Sequence, residues 1–173
     1  VADWEAATGN TNTAVFGQLN WHLTDSLNLS VGGRYGREEI EVYFQDYAAN
    51  ATYRGDDSES FTVGKASLQY FMRDDLSVFA SVSTGYKGQG YDVSSGFNQN
   101  RADNPVDSES AVSYEAGVKG AVMDGRAQFS VVAFLTDYDD FQAQSGEVTT
   151  EGLVFSLNNV GKLTTQGIEA DFA

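Results

Sequence analysis

Apolar side chains recur at every second position through most of this 173-residue chain. Successive side chains of a β-strand point to opposite faces, so this period fixes strands rather than helices. Val15, Leu19, Trp21 and Leu23 alternate with Gln18, Asn20 and His22. Leu27, Leu29, Val31, Gly33 and Tyr35 alternate with Asn28, Ser30, Gly32 and Arg34. The pattern returns at Ala66–Tyr70, Leu76–Val82, Val112–Val118, Phe129–Leu135 and Ile168–Phe172. Val132 and Phe134 interrupt it on the polar side. The count is about seven strands, each with one apolar and one polar face. Pro105 is the one proline and falls in a loop, as it must where interior ladder positions need an N–H.

The connections differ in length. Thr24-Asp25-Ser26, Arg73-Asp74-Asp75 and Asp124-Gly125 read as tight turns, while roughly 46–60, 94–110 and 142–158 read as long polar loops. Short turns at one end and long loops at the other describe an antiparallel up-and-down meander. The run from Leu27 to Gln45 is 19 residues with hardly a break, against about 5–6 for ordinary soluble strands. Its apolar positions switch from odd (27–35) to even (Ile40, Val42, Phe44). A bulge near Gly36, or a passage from membrane to water, accounts for such a switch.

Composition narrows the classes. Ten Lys and Arg against 25 Asp and Glu leave a net charge of −15, so no basic stripe exists to meet nucleic acid. The absence of Cys excludes disulfides and thiolate metal sites. The longest apolar run, Val131–Leu135, is far short of a spanning helix. Aromatics at 13% separate the chain from acidic disordered segments. Two architectures accept the alternation: a soluble sandwich with its apolar face inward, or a transmembrane barrel with that face toward lipid. The polar faces hold Ser, Gln, Asn and Gly rather than Lys and Glu, which favours the barrel. Aromatics near the strand ends would form interface girdles: Trp21, Tyr70 and Phe71 by the short turns, and Tyr35, Tyr86, Tyr91 and Tyr138 toward the long loops.

Four segments carry a family likeness. They are Ala14–Gln18 with Leu23–Leu27 and Gly33-Arg34-Tyr35; Leu76–Tyr91 (LSVFASVSTGYKGQGY); Ser113–Lys119 (SYEAGVK) with Asp124-Gly125-Arg126; and Asn158–Lys162 with Gln166–Glu169. In this order they resemble the barrel of a TonB-dependent outer-membrane receptor. Thr84, Gln89 and Tyr91 depart from that pattern, where Arg, Gly and Phe are common. The resemblance implies an all-β segment of a 22-stranded barrel in the bacterial outer membrane. It implies no enzyme activity and no cofactor. Its implied partners are outer-membrane lipid, a plug domain of the same protein, the TonB complex, and a small-molecule or metal-chelate ligand such as a ferric siderophore. At about 25 residues per strand and connection, a full barrel needs roughly 550 residues. Residues 1–173, which begin without Met and stop inside a strand-like segment, are therefore expected to be a partial barrel, without plug or closing strand.

Arg34, Lys65 and Lys119 lie on polar faces and are the lumen-side candidates for an anionic ligand or a plug carboxylate. The blander expectation is cross-strand pairing with Glu115 or Glu169. His22 reads as a lumen-facing polar residue rather than part of a triad, and Gly85–Gly90 as a strand exit rather than a phosphate loop. The acidic runs 56–59, 103–109 and 137–140 lack calcium-loop spacing and read as solvated loops, so no metal site is expected. The sequons at Asn28 and Asn50 carry no weight in a bacterial barrel. A passive porin or adhesin-like barrel, and a secreted carbohydrate-binding β-domain, remain the alternative functions.

Overall fold

A computed structural model describes residues 3–173 apart from 95, 124, 150 and 151; the side chains of 147–149 and 152–154 are also outside the description. The described residues form strands β1 (Trp4–Thr24), β2 (Leu27–Asp46), β3 (Ala51–Arg73), β4 (Leu76–Lys87), β5 (Glu109–Val122), β6 (Ala127–Asp139), β7 (Gln142–Thr149), β8 (Gly152–Asn159) and β9 (Leu163–Phe172). One short helix, α1 (Gln99–Asp103), lies between β4 and β5. Seven strands make one antiparallel sheet in the order β1-β2-β3-β4-β5-β6-β9, which is the expected meander. β7 and β8 pair with each other as a separate hairpin.

Three expectations about connections change. The stretch 46–60 is not a loop: β3 begins at Ala51, and only residues 47–50 turn, with Asn50 at φ 51°. The described residues of the stretch 142–158 are strand, paired as the β7–β8 hairpin. β1 starts at Trp4, well before the periodic run at Val15. Polar residues hide these extensions, since nothing apolar marks a strand that stands in water. The tight turns at 25–26 and 74–75 are as expected; of the third, Asp124 lies outside the described residues, and Gly125 holds φ 83°.

The sheet's two faces explain the phase switch in β2. Pairing with β1 and β3 runs unbroken from Asn28 to Asp46, so no bulge sits near Gly36. The bulges lie instead at His22/Thr24 and Phe71/Arg73, beside the tight turns. What changes is the surroundings. Below Gly36 the odd positions Leu29, Val31 and Tyr35 are the apolar ones; beyond it, Arg37, Glu39 and Glu41 occupy that same face. On the opposite face Ile40, Val42 and Phe44 are buried, and Phe97 and Ala102 of the β4–β5 connection pack over Val42 and Phe44. Phe44, 1% exposed, stacks on Phe97 at 5.0 Å and on Trp4 at 5.3 Å. Ala102 of α1 sits against Gly55 so closely that a Cβ there would stand 1.9 Å from its carbonyl oxygen.

The apolar face has no second layer among the described residues. Val15, Leu19, Leu68 and Ile168 stand 69%, 59%, 42% and 76% exposed. Fully burying such side chains is worth about 1.5–3 kcal/mol each. A face of this breadth suits lipid; the apolar faces of a sandwich pack on each other, and this sheet shows no such packing among the described residues.

Candidate functional site: the polar face

Arg34, Lys65 and Lys119 all project from the polar face, by the register of β2, β3 and β5. Arg34 Nη2 donates to Asn12 Oδ1 at 2.9 Å, and its guanidinium lies 5.8 Å from the Phe61 ring centre. Lys119 Nζ lies 4.9 Å from the Phe79 ring centre. The expected pairing with Glu115 or Glu169 is not formed: among the described residues no ion pair includes any of the three cations. Register is the reason. Arg34 stands between Phe16 and Val63, Lys65 between Gly32 and Ser83, and Lys119 between Ser77 and Ser130. Glu115 instead accepts from Ser81 Oγ at 3.4 Å. Arg34 and Lys65 share one concavity of about 600 Å³ with Phe16, Gln18 and Val63. Lys119 belongs to a different one, near the short turns, beside Ser77 and Ser130.

A second cluster escaped the sequence. Phe61 and Tyr86 stack at 4.1 Å with planes 9° apart. The Tyr86 hydroxyl lies 3.2 Å from Glu38 Oε2 and 3.3 Å from Glu59 Oε2. Glu38 is 9% exposed and also accepts from Asn10 Nδ2. Asn12, Arg34, Glu38, Phe61, Val63, Tyr86 and Gly88 enclose a pocket of about 300 Å³. Nothing in the local sequence marks Glu38, and Glu59 reads as part of a solvated acidic loop, until register sets the two opposite each other. β4 leaves β3 after Ser83, where Thr84 Oγ1 accepts from the Gly64 N–H in place of the ladder. Alternation along β4 gives position 86 the parity of Val82, yet where β4 has left β3 the Tyr86 ring meets Phe61 and its hydroxyl meets Glu38 and Glu59.

The aromatic expectations divide accordingly. Trp21, Tyr35 and Tyr70 stand on the apolar face, exposed. Phe71 shares the polar face with Gln69 and Ser77, and Tyr138 shares it with Ala111 and Thr136, by strand alternation. Tyr86 is in the pocket just described, and Tyr91 packs against the Phe44 cluster. These four correct the girdle expectation: position near a strand end does not settle which face a ring takes. Tyr114, Phe129 and Phe172 occupy the apolar face instead, as their register shows.

Other singled-out residues behave as surface or wall groups. His22 Nδ1 meets Asn28 Oδ1 at 2.6 Å. Gln89 donates to Asp57, and Lys162 pairs with Asp139 at 2.8 Å. Among the described residues no three His, Cys, Asp or Glu side chains gather as a metal site would require. The Tyr91 hydroxyl is buried without a partner among the described residues. Burial, then the negative charges of Asp57, Asp56 and Asp103, pushes this phenol up from its ordinary value.

With one face apolar and unpartnered and the other polar and folded over, the sheet has the organisation of a membrane-barrel wall. The family model for the TonB dependent receptor-like β-barrel matches residues 2–173. The chain belongs to that family. It is 27% identical to the pesticin receptor of Yersinia pestis, over 96% of this chain and 24% of that protein. It is 24% identical to the ferric-pyoverdine BN7/BN8 receptor of Pseudomonas putida, over 79% of this chain and 17% of that protein. The crystal structure of the ferric yersiniabactin uptake receptor FyuA from Yersinia pestis superimposes with TM-score 0.80 at 23% identity, covering 98% of this chain and 25% of that one. The chain thus spans between 17% and 25% of the length of these relatives. TonB-dependent receptors are outer-membrane barrels and transporters, not enzymes. The polar face of this chain is accordingly the lumen side of a TonB-dependent receptor barrel wall.

Proposed function

We propose that this chain is a wall segment of a receptor that imports a ferric chelate of the siderophore kind, driven through TonB acting on a plug domain elsewhere in the same protein. The supporting observation is the lumen face at Arg34 and Lys65. Two cations share one concavity with no carboxylate paired to either among the described residues. A chain of net charge −15 that leaves these cations unpaired offers an anion, on a solute or on the plug, its complement. The pesticin and ferric-pyoverdine receptors are relatives in sequence and support the solute class. On this reading Lys119, nearer the short turns, contacts the plug, while Trp21, Tyr35 and Tyr70 meet the lipid interfaces.

The test is growth under iron limitation of a strain whose only such receptor is the full-length protein. Cells are fed ferric yersiniabactin or ferric pyoverdine, with TonB present or deleted. Uptake of at least one chelate that disappears without TonB is expected, and Arg34→Ala with Lys65→Ala reduces it. Uptake of unrelated small solutes, undiminished by TonB deletion, would establish the passive porin instead.

A further inference from the structure

The lumen pocket and the outer β7–β8 hairpin meet at a single glycine. Gly88 lies just past the end of β4. On one side its α-carbon touches the Glu38 carboxylate: a Cβ there would stand 1.7 Å from Oε2. On the other side its carbonyl accepts from Gln142 Nε2 at 2.9 Å. Gln142, the first residue of the hairpin, is 7% exposed. Its side chain also donates to the Asp107 carbonyl at 2.8 Å, and its N–H donates to Glu109 Oε2 at 2.8 Å. Asn159, the last hairpin residue, closes the base. It accepts from the Asp107 N–H at 3.0 Å and donates to the carbonyls of Asp107 and Asp140 at 3.0 and 2.7 Å.

We infer that residues 86–88 form a two-sided clamp that couples occupancy of the lumen pocket to the orientation of the β7–β8 hairpin. The inner jaw is Glu38, holding the Tyr86 hydroxyl; the outer jaw is Gln142, holding the Gly88 carbonyl. Between them runs a backbone of three residues, Tyr86 to Gly88, too short to absorb a displacement internally. A group that enters the pocket touches Tyr86, Glu38 and Gly88 directly. Shifting any of them moves the carbonyl on which Gln142 rests. Gln142 Nε2 keeps its bond to the Asp107 carbonyl, but its second hydrogen then loses its acceptor, which is costly in so enclosed a side chain, so the hairpin base follows or opens. Glycine is required at 88 because of this close approach, not for its backbone angles; its φ is not among the positive ones.

Only the pocket's role as the place a solute or plug residue enters rests on the proposed transport function; the mechanical link does not. Hydrogen exchange of the full-length receptor in detergent micelles therefore tests it without a ligand. Gly88→Ala pushes on the flexible Glu38 carboxylate rather than on backbone, so the barrel is expected to survive. Tyr86→Phe removes one hydroxyl and leaves the ring stack. Both variants are expected to raise amide exchange at the hairpin base, 142–146 and 155–159, by about fivefold, the equivalent of one net hydrogen bond. Exchange in β5 and β6 stays unchanged. In reciprocal fashion, Gln142→Ala accelerates exchange at 86–92. If the inner variants change exchange at 84–92 but leave the hairpin base as in the wild type, the coupling is refuted. If Gly88→Ala fails to insert, Tyr86→Phe alone decides by the same criterion.

Discussion

Four glycines of the sheet each face an aromatic ring directly across a strand pair: Gly36 and Phe61, Gly117 and Phe79, Gly120 and Phe129, Gly167 and Phe134. A Cβ on Gly36 would stand 2.5 Å from the Phe61 ring, and one on Gly167 3.0 Å from the Phe134 ring. The ring fills the space above the bare backbone, which restores packing that a strand glycine otherwise loses. Phe134, which spoiled the alternation in the sequence, is thus explained by its partner. Such pairs were not legible, because the partner lies 9 to 38 positions away and is chosen by register. Gly36→Val is expected to drive Phe61 off Tyr86 and cost about 1–3 kcal/mol by overpacking, read from urea unfolding of the folded barrel in micelles. Tyr91 makes the opposite case. Its buried hydroxyl has no partner among the described residues, so Tyr91→Phe is expected to be neutral or to stabilise by up to about 1 kcal/mol in the same assay. The raised phenol of the wild type means that the folded state holds the neutral form more firmly than the unfolded chain does. That contribution is complete below the ordinary tyrosine range of about 10 and fades as pH rises through the folded value. The gap between wild type and Tyr91→Phe should accordingly shift against the wild type only in strongly alkaline solution.

At the scale of elements, the seven strands of the sheet were legible because lipid imposes alternation on one face of each. The extension of β2 past Gly36 was legible too, in the run to Gln45; those of β1 before Val15 and of β3 before Ala66 were not, nor was the β7–β8 hairpin, because in water the outer face turns charged and the period blurs. Of the three candidate cations, alternation in the sequence put each on a polar face, as register does, but could not say that Arg34 and Lys65 converge and Lys119 does not. That is a matter of pairing. The same reasoning locates the membrane. Along β2 the outward residues change from Leu29, Val31 and Tyr35 to Arg37, Glu39 and Glu41. From the level of Tyr70, opposite Leu27, to Tyr35 is eight residues, roughly 27 Å along a strand and about 21 Å along the normal at a tilt near 40°. This approaches the apolar band of about 25 Å seen in such barrels. The chain lacks cysteine, so if the full-length receptor also lacks reactive ones, single substitutions report position cleanly. Cysteines at Val31 and Tyr35 in the receptor reconstituted in bilayers should resist a membrane-impermeant maleimide, while those at Arg37 and Glu39 should react. A reactive position 31 would move the boundary and undo this placement.

At the scale of the molecule, most apolar surface faces outward and little faces inward. The buried hydrophobic residues among those described are six, and four of them form one cluster under the β4–β5 connection. A soluble domain of about 150 residues buries nearly 70% of its surface around a continuous core; this sheet has no such core. It also leaves β1 and β9 as edges of 21 and 10 residues, neither joined to the other. Free edges of that length template pairing with other chains. Residues 1–173 expressed alone should therefore fail to give a folded monomer in aqueous buffer and form sheet-rich aggregates, judged by light scattering and infrared amide bands. Detergent should disperse them without producing a cooperative melt, because micelles cover the apolar face but close no edge. A monodisperse soluble monomer with a cooperative transition would contradict the barrel-wall reading at its root, since such a species must bury Val15, Leu19, Trp21, Leu68 and Ile168 against itself, which this sheet cannot do.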